Sequence, residues 1–316
     1  MNNVLYIVIP CYNEEEVLPE TERRLTEKLD KLIAGGLISE KSRIALVDNG
    51  STDSTWNLIK GMHESNPYVV GIKVVKNRGH QNGLIAGYAT IADDCDMAVS
   101  MDADLQDDIE VLDKFIQKYQ EGCDIVYGVR SSREKDTFLK RTTAQSYYKL
   151  LHAMGVDIVY NHADYRLMSK RALKALLEYK EVNLFLRGLI PMIGYKSDIV
   201  EYERNERFAG KSKYSVRNLF GFATDGITSL SIKPIRMITF LGAVIFFVAV
   251  IMMLHFVIGY ILGGNQGVKG WTSLILSIWG IGGLQLLAIG VVGEYIGKIY
   301  LETKGRPRFL IEEYLK

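Results

Sequence analysis

The stretch from Asp96 to Asp108 reads Asp-Met-Ala-Val-Ser-Met-Asp-Ala-Asp-Leu-Gln-Asp-Asp, an apolar run that ends in a group of carboxylates. Four similar runs cover 4–9, 43–47, 69–75 and 125–129, and helical patterns lie between the runs at 14–33, 53–64, 79–93 and 109–120. Strands that alternate with helices at this spacing predict an α/β fold, with an open and mainly parallel sheet covered by helices on both faces. Ligands of such sheets lie beyond the carboxyl ends of the strands, so the residues just after each strand are candidates for a site.

The composition of the 316 residues narrows the classes of function. Lysine plus arginine total 38 and aspartate plus glutamate total 37, so the net charge of +1 argues against a nucleic-acid partner. Three cysteines without CxxC spacing argue against a disulfide framework and against structural zinc. No GxGxxG follows the first strand and no GxxxxGK(S/T) occurs, which disfavours a dinucleotide-binding Rossmann domain and a P-loop NTPase. The amino terminus lacks a basic and apolar leader, so we expect no secretory signal.

Two long apolar runs dominate the last third of the chain. Residues 237–262 and 271–293 contain no Asp, Glu, Lys or Arg, and as helices both are long enough for a hydrocarbon core of roughly 30 Å. A short, turn-rich connection at 263–270 predicts a hairpin of two transmembrane helices. Lysines and arginines flank the hairpin, whereas the connection holds only Lys269. The positive-inside rule therefore predicts that the amino-terminal part and the tail are cytoplasmic.

The second apolar run is rich in glycine, which lets helices approach closely in a membrane. Either these glycines pack against the first run or another subunit, giving a possible homo-oligomer, or they reflect the ordinary glycine enrichment of membrane helices. The residues alone leave both interpretations open.

Asp102 and Asp104 follow the fourth apolar run, and the period-2 alternation of a strand predicts both carboxylates on one face. Crowded carboxylates repel each other, and a divalent cation relieves the repulsion. Hard oxygen ligands select Mg²⁺ or Mn²⁺, which can bridge to a diphosphate. The alternative is a helix amino terminus enriched in aspartate, which suits Asp107 and Asp108 better than the first two.

A basic stretch lies just before the first apolar run. Between Arg204 and Arg217 there are five cations and one carboxylate, a local charge of +4. Attraction to anionic lipid and capture of a phosphate both explain this charge, and the two are compatible. A helix over 216–232 is expected to lie in the membrane interface with its apolar side chains toward lipid. Arg130 and Arg141 are further candidates for binding a phosphate.

Asp164 differs from the other carboxylates because it begins an apolar stretch and is expected to lie partly inside the protein. A buried carboxylate needs a partner, and Arg166 lies two residues further on the same face. From the residues alone, the pair is interpreted as an ion pair that shapes a pocket.

Six motifs together resemble a known family. They are Ile9-Pro-Cys-Tyr-Asn-Glu14, Val47-Asp-Asn-Gly-Ser-Thr-Asp53, Asn77-Arg-Gly-His-Gln-Asn82, Asp102-Ala-Asp-Leu-Gln-Asp107, Asp164-Tyr-Arg-Leu-Met168 and Arg207-Phe-Ala-Gly-Lys-Ser-Lys-Tyr214. With the two apolar runs, they resemble the polyisoprenyl-phosphate glycosyltransferases, inverting enzymes of the GT-A fold such as bactoprenol glucosyltransferases and dolichol-phosphate mannosyltransferases. Two positions depart from the family pattern: Asn49, where a second Asp is common, and Asp108, where Pro is frequent.

The resemblance implies a role for each group of residues. The nucleotide-sugar-binding residues would be Pro10, Tyr12, Asn13, Glu14, Asp48, Asp53 and Asp102. The ligands of Mg²⁺ or Mn²⁺ would be Asp102, Asp104 and Gln106. The catalytic residues would be Asp164, Arg207 and Lys213, and the acceptor phosphate would contact Arg130, Arg141, Arg207 and Lys213.

The function expected from this resemblance is transfer of one sugar, with inversion, from a nucleotide diphosphate sugar to undecaprenyl or another polyprenyl phosphate in the bilayer. UDP-glucose and UDP-N-acetylglucosamine are the favoured donors, and GDP-mannose is the alternative. A non-catalytic, membrane-anchored nucleotide-binding protein is the competing class. The expected location is the bacterial cytoplasmic membrane. The expected units are a GT-A domain at 1–215, an interfacial helix at 216–234, two membrane helices at 235–299 (about 237–262 and 271–296) and a cytoplasmic tail at 300–316.

Overall fold

A computed structural model describes residues 2–131, 162–205, 228, 231, 233–261 and 271–316. Eight strands form one sheet in the order β7-β5-β6-β4-β1-β2-β3-β8. The strands are β1 Leu5–Cys11, β2 Arg43–Asp48, β3 Val69–Val74, β4 Met97–Ser100, β5 Ile125–Arg130, β6 His162–Ser169, β7 Ser197–Tyr202 and β8 Ile311–Leu315. The helices are α1 Leu18–Ala34, α2 Thr55–Ser65, α3 His80–Ile91, α4 Leu112–Gln120, α5 Lys170–Glu178, α6 Leu186–Met192, α7 Lys233–Ile261 and α8 Trp271–Thr303.

The predicted parallel sheet is confirmed at its centre. β1 pairs in parallel with β2 on one side and with β4 on the other, and β2 pairs in parallel with β3. These strands are almost continuously apolar because helices cover both faces of the sheet. α3 forms despite its glycines, and Gly87 allows the close packing: a Cβ there would lie 2.6 Å from Val8 Cγ1 and 2.8 Å from Val47 Cγ2.

Three further strands, β6, β7 and β8, complete the sheet and were not predicted from the sequence. β6 is antiparallel to both β4 and β5, and β7 is parallel to β5 at one edge. Because β6 runs in the opposite direction, its first residues lie beside the carboxyl ends of β4 and β5. This reversal brings Asp164 next to the loops that follow the parallel strands.

The tail predicted at 300–316 is corrected in part, because β8 pairs antiparallel with β3 and forms the other edge of the sheet. Its sequence, Ile-Glu-Glu-Tyr-Leu, lacks the alternation of apolar and polar residues that indicates a strand. The carboxylates suit an edge strand instead: Glu312 bonds Lys73 at 3.0 Å and Glu313 bonds Lys60 at 3.1 Å. The segment therefore belongs to the sheet.

α7 contains residues 237–261 of the first predicted membrane helix, and α8 contains the whole of the second. Among the residues that the structure describes, one helical stretch, Gly280–Thr303 of α8, is long and apolar enough to cross a membrane by length and composition. The hairpin of two spans thus stays a prediction. The helix predicted over 216–232 lies, apart from Thr228 and Ser231, outside the described residues.

Candidate active site

The loop after β4 carries the predicted metal ligands. Burial alternates along it: Met101, Ala103, Leu105 and Asp107 are buried, and Asp102, Asp104 and Gln106 are partly exposed. β4 ends at Ser100 and Leu105 has a positive φ of 57°, so this alternation belongs to a loop rather than to a paired strand. The predicted ligands nevertheless share the exposed side of the loop.

The oxygen atoms on this side fit a hard divalent cation, because two carboxylates and an amide oxygen are the donors that Mg²⁺ and Mn²⁺ prefer. In the structure these atoms have protein partners. His80 Nε2 lies 3.1 Å from Asp102 Oδ1, the Gln106 amide N–H donates to Asp104 Oδ1 at 3.2 Å, and Arg204 donates to the Gln106 side-chain oxygen. Within the described ranges no group of three or more His, Cys, Asp or Glu side chains converges as a metal site.

Asp102 and His80 influence each other's protonation. Desolvation alone would raise the pKa of Asp102, but the hydrogen bond and charge of His80 outweigh it and lower this pKa. Desolvation alone would lower the pKa of His80, but Asp102 and the nearby Asp164 outweigh it and raise that pKa. Each group therefore favours the charged form of the other at the first predicted metal ligand of the loop after β4.

Asp164 lies at the start of β6, and its predicted pairing with Arg166 is confirmed. Arg166 is fully buried and donates from Nη2 to Asp164 Oδ1, while Arg187 donates from Nη2 to Asp164 Oδ2 at 3.1 Å. Desolvation alone would raise the pKa of Asp164, but Arg187, Arg166 and His80 outweigh it and hold this pKa well below its usual range. The carboxylate therefore stays ionised at neutral pH and is a poor proton acceptor.

Arg187 was not identified from the sequence. It is the second residue of α6, a short helix, and it reaches a carboxylate 23 positions earlier in the chain. No periodicity or motif around Arg187 indicates this contact, which arises because β6 runs antiparallel to its neighbours.

The two aspartates at 107 and 108 differ, although the alternative of a helix amino terminus was expected to suit both. Asp108 does cap the short 3₁₀ turn before α4, since its Oδ1 accepts from the Glu110 amide at 3.0 Å. Asp107 does not follow that expectation, because its side chain is buried. Its Oδ1 accepts a hydrogen bond from the Tyr202 hydroxyl at 2.5 Å, and Arg130 Nη2 lies 3.9 Å from the same oxygen. Burial and the charge of Asp102 raise the pKa of Asp107 to about 6.

Asp48 ends β2 and is buried, with 1% of its surface exposed. Its Oδ1 accepts from the Ser51 amide at 3.1 Å, but its Oδ2 has no hydrogen-bond partner among the described residues. Burial raises the pKa of this carboxyl group, against the lowering effect of Ser51. A buried acceptor atom without a partner is costly, so Asp48 Oδ2 is suited to a donor group on a ligand.

The loops after β1 and β2 are tied together beside Asp48. Asn13 has a positive φ of 53°, its amide donates to Ser51 Oγ at 3.0 Å, and its Oδ1 accepts from the Thr52 amide at 2.9 Å. Asp53 Oδ1 accepts from the Thr55 amide at 3.0 Å, so this side chain stabilises the start of α2. These bonds hold the two loops at the carboxyl ends of the parallel strands, where the loop after β4 that carries the predicted metal ligands also lies.

The other predicted residues divide into two groups. Pro10 lies within β1 opposite Val47, Tyr12 is 36% exposed, and the Glu14 amide donates to Thr55 Oγ1 at 3.0 Å. Arg130 ends β5 beside Asp107. The remaining three predicted residues, Arg141, Arg207 and Lys213, lie outside the described residues.

Comparison with known proteins agrees with this arrangement. The family model "Glycosyl transferase family 2" matches residues 6–177. The chain is 52% identical over 309 residues to the uncharacterized glycosyltransferase YkoT of Bacillus subtilis (strain 168), covering 98% of this chain and 91% of the relative.

Two further relatives are similar along almost their whole length. The bactoprenol glucosyl transferase of Shigella phage SfX is 40% identical over 97% of this chain and 98% of its own. The prophage bactoprenol glucosyl transferase homolog of Escherichia coli (strain K12) is 39% identical over 98% of this chain and 99% of its own. As its motifs predicted, the chain is a glycosyltransferase that belongs to glycosyl transferase family 2, in the group that includes the bactoprenol glucosyl transferases.

Proposed function

We propose that this glycosyltransferase moves one sugar from a nucleotide diphosphate sugar to a polyprenyl phosphate, with inversion at the anomeric carbon. The observation that carries the proposal is the set of carboxylates and arginines at the carboxyl edge of the sheet, where Asp164 stays ionised between Arg166 and Arg187. Support for a lipid phosphate acceptor comes from relatives whose names describe bactoprenol glucosyl transferases and which match this chain over nearly its full length.

The donor is proposed to lie across the ends of β1, β2 and β4. Asp48 Oδ2 offers a buried acceptor for an N–H group of the nucleotide. Asp102, Asp104 and Gln106 would hold Mg²⁺ or Mn²⁺, with the Gln106 oxygen released from Arg204. When bound, the cation would neutralise charge on the leaving nucleotide diphosphate.

The acceptor needs little help from a general base, because the second pKa of a phosphate monoester is near 6. A phosphate oxygen forms the new bond to the anomeric carbon, and the bond to the nucleotide diphosphate breaks with its electron pair on the departing oxygen. The protein must align two anions and reduce their mutual repulsion. Arg130, Arg187 and Arg204 lie near the carboxylates and serve this purpose, while Asp164 orients cations instead of taking a proton.

The basic residues Arg141, Arg207 and Lys213 are proposed to contact the acceptor phosphate. For Arg207 and Lys213 the support is the positive charge of the stretch from 204 to 217, before the apolar runs, and Arg141 is a further candidate from the sequence. We further propose a two-span hairpin in the bacterial cytoplasmic membrane with the sheet on the cytoplasmic side, where nucleotide sugars are found. Cysteine labelling tests this topology: Asn265→Cys is expected to react from outside the cell, and Glu40→Cys only after permeabilisation.

The donor sugar is tested directly by product formation. Membranes that contain the full chain are incubated with undecaprenyl phosphate and, separately, with labelled UDP-glucose, UDP-N-acetylglucosamine and GDP-mannose. We expect labelled lipid with UDP-glucose, since the named relatives are glucosyl transferases. Nucleotide binding without labelled lipid from any donor would favour the non-catalytic alternative and contradict the proposal.

A further inference from the structure

The end of α8 is bonded to the segment that leads into the active site. The Glu302 carboxylate accepts hydrogen bonds from the Val182 amide at 2.8 Å, from the Asn183 amide at 2.8 Å and from Asn183 Nδ2 at 2.8 Å. Asn183 Nδ2 also lies 3.5 Å from the Lys298 carbonyl oxygen. We call residues 181–185 the bridging segment.

The bridging segment leads directly to Arg187, which follows Asn183 by four residues. Phe185 and Leu186 are buried, and the Leu186 amide donates to Gln81 Oε1 at 2.8 Å. Four residues span at most about 14 Å of chain. The position of Arg187 against Asp164 therefore depends on how the bridging segment is held.

The bonds of Glu302 are distinct from those that attach the end of the chain to the sheet. β8 pairs with β3, and the bridge between Glu313 and Lys60 reinforces that edge. Among the described residues, the hydrogen bonds that the Glu302 side chain accepts all come from the bridging segment. A carboxylate that accepts bonds from backbone amides fixes a loop more strongly than a neutral acceptor does.

We propose that Glu302 is a positioning residue for sugar transfer: it holds the bridging segment so that Arg187 meets Asp164. The helix that carries the apolar stretch Gly280–Thr303 thereby sets part of the active-site geometry, in addition to its proposed role as a membrane span. The expected effect on turnover rests on the proposed function, but the hydrogen-bonded connection from Glu302 through the bridging segment to Arg187 does not.

Turnover tests the role with a matched pair of substitutions, Glu302→Gln and Glu313→Gln, in the full chain. We expect Glu302→Gln to lower kcat about tenfold while the donor KM changes less than about twofold, and Glu313→Gln to behave like the wild type. In an Arg187→Lys background, Glu302→Gln is expected to add less than about a twofold loss, because both changes disturb one contact chain. Equal kcat for the two single variants, or full additivity with Arg187→Lys, would overturn the proposal.

Hydrogen exchange tests the same link without any turnover. Glu302→Gln is expected to speed amide exchange from Val182 through Arg187, and Glu313→Gln to leave that region unchanged. Asn183→Ala removes the side-chain bond to Glu302 and the longer contact with the Lys298 carbonyl, but it keeps the backbone bonds to Glu302. It is expected to give a smaller effect in the same direction and serves if Glu302→Gln does not fold. Faster exchange confined to 182–183 would refute the positioning role. A wild-type protein that makes no glycolipid would instead contradict the proposed function and leave exchange to decide.

Discussion

The two ends of the sheet hold buried carboxylates in different ways. At the end where β5 begins, Asp124 accepts from Ser169 Oγ at 2.8 Å and pairs with Arg171, and the pKa of Asp124 is lowered by Arg171 against the effect of burial. At the opposite end, Asp48 is buried with a raised pKa and one oxygen that lacks a partner in the described part of the chain. The first arrangement stabilises the fold, whereas the second is costly unless a ligand completes it.

The arginines at the two ends of the sheet differ in the same way. Arg171 is 65% exposed and pairs with Asp124 at the end where β5 begins. At the carboxyl end, Arg166 is fully buried, with its Nε and Nη1 unpaired within the described structure. Of the residues that the structure describes, Asp48 and Arg166 are the buried charged side chains with unpaired atoms, and both lie at the carboxyl end. Such groups are typical of a site that binds or transforms a ligand.

Removal of divalent cations is expected to have the largest effect. Chelation by EDTA should abolish sugar transfer because Asp102, Asp104 and the diphosphate then repel one another. Added Mg²⁺ or Mn²⁺ should restore the rate, measured as labelled lipid formed per minute. Full activity in EDTA would contradict a metal at the carboxyl end.

Asp104→Asn should come close to that loss. We expect kcat to fall about a thousandfold with little change in the melting temperature, since the amide oxygen can still accept from the Gln106 amide. The control is Asp93→Asn, an exposed carboxylate paired with Lys174. Activity of Asp104→Asn within a few fold of this control would remove Asp104 from the site.

Asp48→Asn separates stability from binding. We expect the donor KM to rise about tenfold, while the free energy of unfolding at pH 7 stays equal or rises by about 1 kcal/mol. The reason is the raised pKa of Asp48. Its ionised form disfavours folding above that pKa, and this penalty decreases as the pH falls below the raised pKa and is gone below the ordinary one. Steady-state kinetics and denaturant unfolding measure the two effects, and a clear loss of stability with unchanged KM would refute the interpretation.

Asp124→Asn should affect stability alone, so its effect on sugar transfer is the smallest of the four. We expect a loss of about 1–2 kcal/mol at pH 7 because Ser169 and a largely solvated Arg171 lose their charged partner. The pKa of Asp124 is lowered in the folded protein, so its stabilisation is present above the ordinary pKa and is lost as the pH falls through the lowered one. Turnover below the melting temperature should match the wild type; a tenfold loss of kcat would break the distinction between the two ends.

The sequence predicted the parts of this arrangement that follow local patterns. β1 and β2 are continuous apolar runs. Asp102 and Asp104 share an exposed side as predicted, although they lie in a loop and not in the strand that the prediction assumed. The missed parts depend on long-range pairing. Arg187 reaches Asp164 because β6 is antiparallel, and Asp107 turns inward to Tyr202, a residue far along the chain.

The most direct test of sugar transfer at the carboxyl end is the anomeric configuration of the lipid product. UDP-glucose carries an α-linked sugar, and the product formed on undecaprenyl phosphate can be analysed by NMR. A single displacement by the phosphate oxygen, aligned by the arginines around Asp164, predicts a β-linked glucosyl phosphate. An α-linked product, or glucose attached to a hydroxyl group instead of the lipid phosphate, would contradict it.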